Sequence, residues 1–164
     1  MKIVIQRVSK ARVLINEKIY SSIDKGLLIL IGIEKLDNTN NLDYYVNKII
    51  NMRIFNDENN KMNYSLLDVK GSILVVSQFT LLANTQKGNR PSYLEAAKPS
   101  HAKIIYREFC EKLKNYEINV KKGRFGAHMK LDFINDGPVT ILLGEWNGKK
   151  NKNSNGKTRP WWSW

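Results

Sequence analysis

Two short segments combine residue types that could do chemistry. The first is Ser77-Gln78-Phe79-Thr80-Leu81, directly after the apolar run Ile73-Leu74-Val75-Val76. It sets hydroxyl and amide groups at the end of a buried strand, where a sheet often meets its ligand. Read plainly, the same residues are a strand end satisfied by side-chain hydrogen bonds. The second is Asn135-Asp136-Gly137-Pro138-Val139-Thr140. Asp-Gly-Pro is turn chemistry and by itself spells a hairpin. A cis Gly-Pro bond would instead hold two carbonyl oxygens side by side as rigid acceptors. Neither segment taken singly decides between its two readings.

The other reactive residues are less informative. No Gly-rich phosphate loop or dinucleotide fingerprint is present. His101 is expected to open a helix and His128 to start a strand, both solvated or hydrogen-bonded rather than metal-bound. Cys110, beside Phe109, is expected in the core rather than as a nucleophile. A single cysteine excludes a disulfide framework and a cysteine-based zinc site. No metal or cofactor is expected.

The elements that must position these residues can be read from periodicity. Lys2-Ile3-Val4-Ile5-Gln6-Arg7-Val8 is a β-branched strand. Ala11 to Ile15, Asn16-Glu17 and Lys18 to Tyr20 read as strand, tight turn and returning strand. Gly26 to Ile33 is apolar throughout, as in a strand buried on both faces. Asn38 or Thr39 is expected to cap a helix with Leu42, Tyr45, Val46 and Ile49 inward. Phe55 to Asn60 reads as a loop. Ser72 to Ser77 reads as a central strand. Ala83 to Pro91 reads as a loop, and Ser92 as the cap of a short helix ended by Pro99. Ser100 is expected to cap the next helix. A short strand over Glu117–Val120 and two more, Met129–Ile134 and Val139–Leu143, complete the set. Gly137-Pro138 is expected between the last two. The fold class is α/β: a single domain of mostly antiparallel or mixed sheet packed with two or three helices.

Length and composition agree. The chain has 164 residues, one domain's worth, with 42% hydrophobic and 26% charged residues, the range of a soluble globular protein. The longest apolar run is far short of a membrane span, and the first residues lack the pattern of a signal peptide. A cytoplasmic protein without a membrane partner is expected. The net charge is +12. Lys149, Lys150, Lys152, Lys157 and Arg159 contribute to it, but the remainder of the chain is also basic. A basic surface attracts polyanions, so nucleic acid is the first partner to consider. The segment from Trp146 to Trp164 is rich in Lys, Asn, Gly and Ser, so a domain over 1–145 with a flexible basic tail over 146–164 is expected.

In their order along the chain, the segments resemble the D-aminoacyl-tRNA deacylase (D-tyrosyl-tRNA deacylase) family. The resemblance runs from Met1 to about Glu145. It includes Met1 to Val8, Ser77-Gln78-Phe79-Thr80-Leu81, Gly88-Asn89-Arg90-Pro91-Ser92-Tyr93, Gly123 to Met129, and Asn135 to Thr140.

The resemblance implies hydrolysis of the ester joining a D-amino acid, or mischarged glycine, to the terminal adenosine of tRNA. It implies a homodimer with two sites, each walled by Ser77, Gln78, Phe79 and Thr80 of one subunit and by Gly137 and Pro138 of the other. The terminal ribose 2′-hydroxyl would help activate water. Phe79 and Thr80 would stabilise the oxyanion through backbone N–H groups, a role preferred over Thr80 as nucleophile. Paired carbonyls of Gly137 and Pro138 would exclude an L side chain by clash. Arg7 would hold their loop. Met129 and Phe125 would line the adenosine or amino-acid pocket, with Ala102 as a small wall residue. The alternative is a non-catalytic RNA-binding module. An editing domain that removes L-serine is a third reading, against which the intact Gly137-Pro138 argues.

Overall fold

The computed structural model describes residues 1–144; the basic tail expected from residue 146 onward lies outside them. A single long strand organises the sheet. β1 (Lys2–Ile15) runs antiparallel to three neighbours. Its first half pairs with β3 (Gly26–Gly32) and its second half with β2 (Lys18–Ile23). Along its other edge it pairs with nearly the full length of the last strand. Asn16 and Glu17, at φ 51° and 61°, close the β1–β2 hairpin. Positive φ at both central residues suits a two-residue turn whose twist matches that of the strands.

α1 (Leu42–Asn51) follows β3 and buries Leu42, Val46, Ile49 and Ile50. A small hairpin, β4 (Phe55–Asn56) with β5 (Met62–Tyr64), occupies the region expected to be plain loop. β6 (Ser72–Ser77) lies parallel to β3, and β7 (Val120–Lys122) lies parallel to β6. α2 (Pro99–Lys114) connects them across one face. β8 (Lys130–Gly144) returns along β1. The result is a mixed, strongly curved sheet with two helices, an α/β domain of the expected class.

Alternation along β3 and β6 explains why both faces are dry. Leu27, Ile29, Ile31, Ile73 and Val75 join one core with the inner faces of α1 and α2. Leu28, Leu74 and Val76 face the other way, into a second core with Val8, Ala11, Val13 and Ile23. Successive residues of a strand point to opposite faces, so an uninterrupted apolar run fills two cores at once.

Five expectations need correction. No helix forms after Ser92; residues 92–98 are held instead by isolated bridges, Asn84 to Ser92 and Glu34 to Ala96. α2 begins at Pro99, because proline at the first helical position lacks only an N–H that would be unpaired anyway; Lys98, not Ser100, precedes it. α1 starts from Asn41 rather than Asn38 or Thr39, and β7 begins at Val120 rather than Glu117. Finally, Gly137-Pro138 is not a turn between two strands. It lies within one continuous strand, β8, and forms a wide bulge there.

Candidate functional site

Ser77 ends β6, and Gln78 continues extended, its N–H donating to Ile31 O at 2.8 Å. The chain then tightens into a 3-10 turn over Phe79–Leu82. Leu81 N–H is the first in this turn to bond backward, to Gln78 O at 3.2 Å. The N–H groups of Phe79 and Thr80 precede that bond, so the turn's own ladder does not use them. The Gln78 side-chain amide donates to the Thr80 hydroxyl oxygen.

Beside this turn opens a cavity of about 750 Å³ at the C-terminal ends of the parallel strands β3 and β6. Ser77, Gln78, Phe79, Ala102, Phe125 and Met129 all line it. Thr80 is not among the lining residues; its hydroxyl oxygen is tied to the Gln78 amide. Ile31, Ile33 and Val76 form an apolar floor.

The loop after β7 forms the facing wall. The buried Tyr106 hydroxyl on α2 donates toward Val75 O (2.9 Å) and Gly123 O (3.3 Å), fixing where this loop departs. Its ring packs at 5.7 Å from that of Phe125. Gly126 turns the loop at φ +77°, a conformation that favours glycine. A side chain at Gly123 would come within 2.7 Å of Met129 Sδ, so glycine there lets Met129 lie against the wall. Burial raises the Tyr106 phenol well above its ordinary range and pushes the Cys110 thiol up to about 11. Both are core groups, and Cys110 is fully enclosed.

Two further lining residues carry no role in the sequence reading. Tyr93 meets the exposed ring of Phe79 edge to face, with centroids 5.1 Å apart. His128 lines the loop side of the cavity. Tyr93 closes the Gly88–Tyr93 motif, so the motif was visible in the sequence although this residue's place at the cavity was not.

Arg7, Gly137 and Pro138 are not part of this cavity. They form a second constellation. In the β1–β8 ladder Gln6 pairs with Thr140 and Val8 with Asn135, so residues 136–139 of β8 oppose Arg7 alone. The Gly137-Pro138 bond is cis. Arg7, only 5% exposed, binds the bulge with its guanidinium. Nε donates to Asp136 O (3.1 Å) and pairs with the Asp136 carboxylate (3.0 Å), while Nη2 donates to Gly137 O (3.2 Å). Nη1 reaches the other way, to Ile54 O (2.6 Å) and Asn56 Oδ1 (3.3 Å). A planar fork of fixed donors suits such multiple contacts. Gly137 and Pro138 themselves are exposed.

Among the described residues, no cluster of three or more His, Cys, Asp or Glu side chains could hold a metal ion. No helix there is long and apolar enough to cross a membrane.

A cleft at the strand ends of a mixed sheet, with an arginine-clamped Gly-Pro bulge elsewhere on the same sheet, marks an α/β protein with a sizeable cavity at its strand ends. The family model described as D-Tyr-tRNA(Tyr) deacylase matches residues 4–144, and the chain belongs to that family. It is thereby a deacylase, an enzyme of the hydrolase class. A D-aminoacyl-tRNA deacylase of Thermosipho africanus is 53% identical over 87% of this chain and 96% of its own length. A protein of the same name from Fusobacterium nucleatum is 52% identical over 87% and 95%. Among solved structures, one titled c-Myc DNA unwinding element binding protein superposes with a TM-score of 0.82 at 42% identity, covering 88% of this chain and 99% of its own. A probable eukaryotic D-amino acid tRNA deacylase, at 18% identity, shares the fold with a TM-score of 0.77 over 87% and 97%.

Proposed function

We propose that this chain hydrolyses the ester of D-aminoacyl-tRNA, and of glycine mischarged on tRNA, in the cytoplasm as a homodimer. The cavity at the end of β6 receives the aminoacylated terminal adenosine. Phe125, Met129 and Ala102 wall it, and the N–H groups of Phe79 and Thr80 stabilise the oxyanion. An amino-acid ester is already activated, so positioning and electrostatic stabilisation can suffice, with the ribose 2′-hydroxyl helping to activate water. Thr80 as nucleophile is the weaker reading, because its hydroxyl accepts from the Gln78 amide and has no hydrogen-bonded base among the described residues.

The observation that carries this reading is the separation of the two constellations within one chain. Arg7 pairs with Leu27, and Leu27 with Ile73, across two strand spacings; β8 lies one spacing further on. Ser77 is four residues along β6 from Ile73. With ~4.8 Å between strands and ~3.3 Å per residue, the bulge and Ser77 lie roughly 20 Å apart along the sheet. A clamp that far from its own cavity, and exposed, suits the cavity of a second copy. Exposed Ile134 and Leu142 on the same strand, β8, are suited to covering by that copy. There the paired carbonyls of Gly137 and Pro138 would reject an L side chain, accept a D side chain directed away from them, and let glycine pass.

The test is release of tyrosine from D-Tyr-tRNA and L-Tyr-tRNA, together with the mass of the active species. Fast release from the D ester alone, by a dimer, is expected. Activity in an isolated monomer would overturn the shared site, and binding without hydrolysis would favour an RNA-binding module.

A further inference from the structure

A second, smaller groove of about 320 Å³ adjoins the catalytic cavity and shares Ala96 and Lys98 with it. Lys35, Ser100 and His101 complete its walls. The backbone holds this shape. Lys35 N–H donates to Glu95 O (3.1 Å) and Ala97 N–H to Ile33 O (2.9 Å), joining the end of β3 to the approach to α2. His101 Nε2 is fixed on Asp37 O at 2.8 Å. The groove's charges are uncompensated: among the described residues, neither the Lys35 nor the Lys98 ammonium lies within ion-pair distance of a carboxylate. The neighbouring acids Glu34 and Asp37 are turned to the amino group of Met1.

Resting on the deacylase reading, we propose that this groove takes the phosphodiester immediately preceding the terminal adenosine of the substrate tRNA. The catalytic cavity is floored by apolar side chains and suits a nucleoside ester. A polynucleotide must leave that cavity through an opening suited to its charged backbone. The Lys35–Lys98 groove is contiguous with the cavity, carries two ammonium groups that form no ion pair among the described residues, and offers the Ser100 hydroxyl as a further hydrogen-bonding group. Lys98 stands at the junction, and Lys35 lies wholly on the groove side. Phosphate contacts of this kind set register and carry no sequence information, which suits an enzyme acting on many tRNAs.

Two substrates separate the parts of the argument. D-tyrosyl-tRNA carries the phosphodiester; 3′-O-D-tyrosyl-adenosine has none. Lys35→Glu should raise KM for the tRNA roughly three- to tenfold with kcat held, and Lys35→Arg should restore it. It should leave both constants for D-tyrosyl-adenosine unchanged. The dependence of log KM on log salt should become shallower by about 0.7, the increment for one phosphate of a single strand that is no longer neutralised. Titrating the trinucleotide CCA and free adenosine against both proteins, followed by NMR shifts, gives a readout independent of turnover: only CCA should weaken. Equal changes with both ligands, or no change with either, would overturn the groove. A wild-type protein inactive on both esters would overturn the deacylase reading, and the CCA titration would still decide the groove.

Discussion

Arg7 Nη2 donates to the Gly137 carbonyl oxygen at 3.2 Å, from a residue that alone faces four residues of the neighbouring strand. One side chain thus fixes the carbonyl directions of a bulge that the sheet's own ladder leaves loose. The same guanidinium anchors on Ile54 O, so the bulge is referenced to the segment just after α1 as well as to β1.

Replacing Arg7 should therefore disturb selectivity and stability together. Arg7→Met leaves the buried Ile54 carbonyl oxygen unpaired, which costs about 1–3 kcal/mol, or several degrees in Tm for a domain of this size. The ratio of D-Tyr-tRNA to L-Tyr-tRNA hydrolysis should fall. Arg7→Lys should not restore it, since an ammonium cannot span the same acceptors. A thermal melt and paired D and L assays check both effects.

Gly137 gives a cleaner probe. A side chain added there would meet only Asn135 Nδ2, at 3.7 Å, and the residue does not have positive φ. Gly137→Ala should fold with an unchanged melting temperature, yet lose activity if, as proposed, the bulge enters the cavity of a second copy, where its methyl group would intrude. Full activity in this variant would mean that the bulge meets no substrate.

Thr80→Ala should retain activity within about tenfold of the parent if backbone N–H groups stabilise the oxyanion. A loss of ~1000-fold or more in a folded protein would restore the hydroxyl as nucleophile. Single-turnover release of labelled D-tyrosine distinguishes these outcomes.

Gly123→Ala acts through Met129. The added methyl must displace the Met129 sulfur, the flexible end of a side chain, so stability should change by less than ~1 kcal/mol. Moving Met129 in the cavity wall should raise KM for the ester several-fold. Urea melts and initial rates measure the two separately.

Alkaline pH should expose the buried acids. Cys110 rises from 9.0 to about 11, chiefly by burial, and Tyr106 rises above its ordinary 10.0 for the same reason. The unfolded chain releases these protons first, so the Cys110 contribution is intact below pH 9 and is lost as pH climbs through about 11, while the Tyr106 contribution is intact to about pH 10 and is not fully lost within that window. The urea midpoint should drop over that window, and Cys110→Ala should blunt the drop. A disulfide reagent at about pH 8 should label Cys110 only after unfolding.

Much of the framework was legible because burial speaks through periodicity. Gly26 to Ile33 read as a strand buried on both faces and Ser72 to Ser77 as a central strand, and they are. The Asn16-Glu17 turn was equally plain. The failures share a physical cause, in that tertiary pairing overrode a local signal. Gly137-Pro138 is sound turn chemistry, but β1 continues past it on the other side and absorbs the irregularity as a bulge. Ser92 is a fair helix cap, but its N–H is taken by Asn84 O at 2.9 Å. Six of the expected site residues, Ser77, Gln78, Phe79, Ala102, Phe125 and Met129, share one cavity. Tyr93 and Lys98 entered it through backbone bridges between distant segments, which no local pattern announces.

The cavity floor belongs to β3 and β6, each flanked by strands and covered on both faces, and Gln78 N–H is tied back to Ile31. Backbone amides so placed open only when most of the domain opens. In deuterium uptake the floor should therefore be among the slowest regions, empty or occupied, with Gly123 N–H, bonded to Val75 O, protected alongside it, while the 124–129 wall labels earlier. Accommodation of differing amino acids would then come from one yielding side of the chamber, against a base that keeps its shape.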